Sequence, residues 1–89
     1  GRERVEGPPD LVVEVLSPAS RRTDIILKAR IYARAGIPSY WVVDPDIDEV
    51  DALVLDGAAY RSAARVRAPA VLEVPELPGM RVDLAYVFR

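Results

Sequence analysis

The sequence predicts an α/β fold, a mixed sheet made of a βαβ unit followed by antiparallel strands. Three observations predict it. Leu11 to Leu16 is an apolar run interrupted only by Glu14, with the length and residue types of a strand covered on both faces. A stretch with helical spacing follows and is stopped by Gly36 and Pro38. Ser39 to Asp44 is then a second apolar, aromatic run. Strand, helix and strand joined by tight connections place the two strands parallel, with a right-handed crossover.

Taken in order, Gly1 to Pro8 is a polar, Arg/Glu-rich lead-in. So abrupt a passage into a covered strand is what the cut end of a longer protein would give. A strand with apolar residues on both faces usually lies inside a sheet. Pro18 ends the strand, and a helix runs from Ser20 or Arg21 to Ala35. After the second strand, Pro45-Asp46-Ile47-Asp48 is a turn and Val50 to Leu55 returns antiparallel. Asp56-Gly57 is another turn, before strands near Tyr60–Val66 and Ala70–Val74. Pro75 to Gly79 is a loop, Met80 to Leu84 is extended, and the tail closes the domain.

The 89 residues make at most one small domain. No apolar run approaches membrane-spanning length and no signal-peptide pattern is visible, which predicts a cytoplasmic protein without membrane contact. The absence of Cys and His excludes disulfides, thiolate or imidazole zinc sites, and Ser-His or Cys-His catalysis. Chemistry here falls to carboxylates, Lys, Arg, Tyr or a hard metal ion. A net charge of −2 is not that of a typical nucleic-acid binder. The charge is uneven, however: residues 37–57 carry six acids and no basic group.

Glu14 is the anomaly in the first strand. An ionised carboxylate in a dry interior costs several kcal/mol unless it is paired or holds a metal. On a helical wheel starting at Asp24, Leu27, Ile31, Ala35, Tyr32 and Ile25 form the expected core-facing stripe, at about 100° per residue. Lys28 falls inside that stripe, whereas Arg22, Arg30 and Arg34 fall outside it. A snorkelling lysine, or a routine Asp24–Lys28 pair, would explain Lys28 alone. In a βαβ unit, though, this stripe packs on the strand that carries Glu14, so an acid and an inward lysine meet.

A carboxylate beside an ammonium points to metal-assisted hydrolysis, the acid anchoring Mg²⁺ and the lysine positioning a nucleophile or neutralising charge. Such a site wants a second acid. Asp10 shares a strand face with Glu14 but lies roughly 13 Å away at about 3.3 Å per residue. Within the chain Asp44 is the remaining donor; otherwise the acid lies outside it.

PDLVVEVLSP at 9–18 and DIILKARIYARAGIPSYWVVDP at 24–45, with LPGMRVDL at 77–84, resemble the C-terminal half of the Uma family of restriction-endonuclease-like proteins, in the PD-(D/E)XK nuclease superfamily. The resemblance implies that residues 1–89 are the C-terminal portion of one nuclease domain with a partial restriction-endonuclease-like core. It also implies a Mg²⁺- or Mn²⁺-dependent DNA endonuclease, with DNA as partner. Glu14 becomes the acid of the (D/E)XK motif. Leu16 stands where the motif lysine would be, and Lys28 replaces it from the helix. Val15 offers its backbone carbonyl to the metal. Asp10, Asp24 and Tyr32 are supporting residues. The metal-binding Pro-Asp of the family would precede Gly1, which implies an inactive fragment. It also leaves the 10–16 strand open to a second copy of the chain or to an N-terminal segment.

Other candidates are weaker. Asp44, Asp46 and Asp48 alternate like a calcium loop, but Glu49 and Leu55 stand where Gly and Glu are required, so an acidic hairpin turn is expected. Tyr40 and Trp41 belong in the core rather than on a base, and Arg61, Arg65 and Arg67 on a solvated strand rather than on phosphate. The alternative to a nuclease is a non-catalytic interaction domain in which Glu14–Lys28 is a structural ion pair.

Overall fold

The computed structural model describes residues 9–17 and 22–88. The elements are β1 (Leu11–Val15), α1 (Arg22–Arg34), β2 (Ser39–Asp44), β3 (Glu49–Asp56), β4 (Ala59–Arg67), β5 (Val71–Glu73), β6 (Arg81–Asp83) and α2 (Leu84–Val87). The lead-in over 1–8 and the expected helix start at Ser20 or Arg21 lie outside the described residues.

Strands β1 to β4 form one sheet in sequence order. β1 and β2 are parallel, with Glu14 opposite Val42, and β3 and β4 add antiparallel. The mixed sheet is thus the one the sequence predicts. Directly paired residues share a face, so the register divides the sheet in two. Glu14, Tyr40, Val42, Asp51 and Tyr60 lie on the face crossed by α1. Trp41, Val50 and Ala52 lie on the other, where they pack with Leu72, Val74 and Leu84. That second face is covered by the two-stranded β5–β6 sheet and by α2. Helix α2 was not expected from the sequence. Four residues are too few to show a helical period, yet Asp83 caps it, accepting from the Ala85 N–H at 3.0 Å.

A bulge between β3 and β4 does more than bend the strand. Leu53 pairs with Ser62 but Ala52 pairs with Ala64, which leaves Ala63 over. Simple alternation from Tyr60 would have put Ala64 and Val66 on the α1 face. The extra residue reverses the parity, so Ala64 and Val66 join the apolar core while Arg65 and Arg67 stand opposite Asp51 and Glu49.

Helix α1 ends in a Schellman motif: the Gly36 N–H donates to the Ala33 carbonyl at 3.0 Å and the Ile37 N–H to the Tyr32 carbonyl at 3.1 Å. Gly36 supplies the left-handed φ of 75°. Buried Ile37 then leads directly into β2.

β1 lies at the edge of the sheet among the described residues and Val15 is 59% exposed, the open strand that the resemblance to the C-terminal half of a larger domain implies. One expectation is corrected: the helix stripe is turned. Ile25, Lys28, Ala29, Tyr32 and Ala33 face inward, half-buried, whereas Leu27 and Ile31 are 57% and 53% exposed. Docking is decided by Tyr32 packing on Tyr40, by the two side chains that reach Glu14, and by small Ala29 and Ala33, which permit close approach to the sheet. Leu27 and Ile31 lie on the exposed side of α1.

Candidate active site on the first strand

Glu14 projects from the middle of β1 beneath α1. Lys28 and Tyr32, one helical turn apart, descend on it together. The Lys28 Nζ donates to Glu14 Oε2 at 3.1 Å. The Tyr32 hydroxyl donates to Glu14 Oε1 at 2.6 Å. Each carboxylate oxygen thus has its own donor, and the side chain has one orientation. Glu14 is 20% exposed and Lys28 45%, so the cluster sits at the rim of the helix–sheet layer. The Tyr32 hydrogen bond, aided by the Lys28 ammonium, holds the Glu14 carboxyl below its ordinary 4.5 against the opposing effect of burial. The same hydrogen bond raises the Tyr32 phenol above its ordinary value. The result is an ionised acid and a neutral phenol across the physiological range.

Behind Tyr32 lie two more tyrosines. The Tyr32 ring meets Tyr40 edge to face, with centroids 5.3 Å apart, and Tyr40 leans on Tyr60 at 5.5 Å. The Tyr60 hydroxyl donates to the Ile37 carbonyl at 2.7 Å, tying β4 to the end of the helix. Tyr40 is fully buried, and its phenol is pushed up to about 12, chiefly by burial and next by the charge of Glu14. Sequence reasoning placed Tyr40 in the core and did not connect it to Glu14. The available signal was parity: Tyr40 is two residues from Val42, the partner of Glu14.

Other expected site residues are elsewhere. Asp10, at the foot of β1, lines a cavity of about 380 Å³ with Ser39, Arg61 and Glu76. Asp24 is exposed in the first turn of α1. Asp44 accepts from the Asp46 N–H at 3.0 Å and shapes the hairpin turn, in which Asp48 takes a left-handed φ of 51°. Asp44 also lines a groove of about 580 Å³ with Arg22, Asp51 and Arg65, and neither Glu14 nor Lys28 lines that groove. Among the described residues no three acids converge in a way that could hold a metal.

The three arginines of β4 are engaged as ion pairs. Arg65 meets Asp51 at 2.9 Å and Arg67 meets Glu49 at 3.0 Å; Arg61 lies 3.5 Å from Asp56. Trp41 is buried, as expected.

The open edge of β1 completes the geometry. The Leu16 N–H donates to the Val43 carbonyl and the Asp10 carbonyl accepts from the Ser39 N–H, so the even-numbered residues of β1 bond to β2. By alternation, Leu11, Val13 and Val15 turn their N–H and C=O groups to the other side. The Val15 carbonyl thus leaves the sheet next to Glu14 along an edge that no described strand covers. These two groups can form one side of a ligand set for a hard cation.

The profile of the Uma2 family, described as "Putative restriction endonuclease", matches residues 1–85. The chain is also similar to a crystal structure of a "putative nuclease belonging to DUF820" from Anabaena variabilis ATCC 29413. The two superpose with a TM-score of 0.71 at 21% identity, over 94% of this chain and 45% of that one, a likeness that shows the fold. The chain therefore spans less than half the length of that protein. No curated protein matches the chain. Among the described residues, no helix is long and apolar enough to cross a membrane.

Proposed function

The chain belongs to the Uma2 family, and on that premise we propose that it supplies Glu14, Lys28 and Tyr32 to a nuclease site that hydrolyses phosphodiester bonds in DNA. The observation that carries this proposal is the convergence of the Lys28 ammonium and the Tyr32 hydroxyl on the two oxygens of Glu14, beside an open strand edge. Tyr32 fixes one carboxylate oxygen and keeps the acid ionised. Lys28, nearly half exposed, can reach past Glu14 to a phosphoryl oxygen or an attacking water and hold it in place. A Mg²⁺ or Mn²⁺ ion, when bound, supplies Lewis-acid stabilisation of the phosphate, with the Glu14 carboxylate and the Val15 carbonyl as this chain's ligands. Asp10 and Asp24 act as supports at the ends of the strand and helix rather than as ligands.

The second acid comes from outside the described residues, delivered along the open side of β1. That side offers unpaired backbone groups and exposed Val13 and Val15. A further strand of the same protein, or a second copy of the chain, covers it. Acting on DNA, the protein works in the cytoplasm.

The test is cleavage. The 89-residue chain with Mg²⁺ or Mn²⁺ should leave DNA intact, and the full product of the gene should cleave it and lose that activity on Glu14→Ala. Robust cleavage by the 89-residue chain, abolished by Glu14→Ala, would put the second acid within it. One observation favours a non-catalytic reading in which Glu14–Lys28–Tyr32 is a structural cluster: both carboxylate oxygens already have partners. Under that reading the full product leaves DNA intact too.

A further inference from the structure

We infer that Tyr40 is a positioning residue for the Glu14 site, holding the Tyr32 hydroxyl on the carboxylate through its ring and not through its own hydroxyl. The inference rests on the Glu14 site proposed above and extends it to a residue that touches neither metal nor substrate.

The hydroxyls of the three stacked tyrosines differ. Tyr32 donates to Glu14 and Tyr60 donates to the Ile37 carbonyl, so each outer ring is held by its oxygen. The middle one, Tyr40, is fully buried, and its hydroxyl has no hydrogen-bond partner among the described residues. A buried, unpaired hydroxyl lowers stability. Tyr40 therefore contributes through its ring. Its contact with Tyr32 is edge to face, with an interplanar angle of 71°, the arrangement that sets a neighbouring ring's direction as well as its depth.

That direction matters because Tyr32 has little else to hold it. Its helix carries no fully buried residue, and its near neighbours Leu27 and Ile31 are turned to solvent. A tyrosine on so lightly seated a helix could reach Glu14 in several rotamers. Tyr40, fixed in β2 and backed by Tyr60, removes all but the one that places the hydroxyl 2.6 Å from Oε1.

The experiment uses the chain as it stands and follows the Tyr32 hydroxyl proton by NMR, a signal that persists only while the hydrogen bond to Glu14 shields it from exchange. Tyr40→Phe should keep the signal and raise Tm, because the ring remains and the unpaired hydroxyl is gone. Tyr40→Leu should lose the signal. In that background the further change Tyr32→Phe should cost no additional Tm, although it does cost Tm in the parent. If Tyr40→Leu does not fold, Tyr40→Met, whose unbranched chain adapts better to the space left by the ring, takes its place with the same expected loss. Retention of the Tyr32 signal in a folded Tyr40→Leu or Tyr40→Met protein would overturn the inference. So would its loss in Tyr40→Phe, which would assign the role to the hydroxyl. None of these readouts requires cleavage of DNA, so a failed nuclease reading and a failed role for Tyr40 give different results.

Discussion

Tyr32 on the helix and Glu14 on the first strand are joined by a 2.6 Å hydrogen bond that links α1 to the sheet. Phenol-to-carboxylate bonds are charge-assisted, whereas the neighbouring Lys28–Glu14 pair is screened because its lysine is 45% exposed. Tyr32→Phe should therefore cost about 1–2 kcal/mol, and Lys28→Met less than about 1 kcal/mol. Urea unfolding of the two variants decides the order, and a larger loss for Lys28→Met would show that the ion pair dominates.

Glu14 also sets an acid limb. Its folded pKa is depressed, so its contribution is fully present above the ordinary value of 4.5 and is lost as pH falls through the lower folded value. Glu14→Gln should flatten the fall in stability on the acid side of 4.5. Parallel acid-unfolding curves for the two proteins would refute this.

At the alkaline end the sign reverses. Burial raises the Tyr40 phenol to about 12 from an ordinary 10.0, so the neutral form favours folding below 10 and that contribution is lost as pH rises towards 12. Tyr40→Phe should make the alkaline decline shallower over this window, followed by circular dichroism alongside tyrosinate absorbance.

The open edge of β1 should show itself in solution. Val13→Lys with Val15→Lys, which puts charge on an exposed edge strand, should lower the mass of the 89-residue chain if a second copy covers the edge. A monodisperse monomer before and after substitution would exclude the second copy and leave a further strand of the same protein as the occupant.

Gly36 closes the helix beside Tyr32 at a φ of 75°, where a side chain is strained even though its Cβ would meet nothing within 4 Å. Gly36→Ala should cost about 1 kcal/mol, read as a shift in the urea midpoint. A neutral substitution would show that the motif relaxes without it.

The sequence alone determined the order of elements up to β6, the parallel β1–β2 pair and the meeting of Glu14 with Lys28. Each of these depends on local pattern: an apolar run, a helical period stopped by Gly36, and a lysine placed within an apolar stripe. Tertiary structure decided what local pattern does not encode. Leu27 and Ile31 face outward because the helix turns to seat Tyr32 on Tyr40 and to bring two donors to one carboxylate. Arg65 and Arg67 meet acids because one extra residue, Ala63, reverses the parity of β4. The Asp44 carboxylate shapes a turn by accepting from the Asp46 N–H. For the helix face and the parity of β4 the outcome depends on partners distant in sequence, and a reading that moves residue by residue along the chain has no access to them.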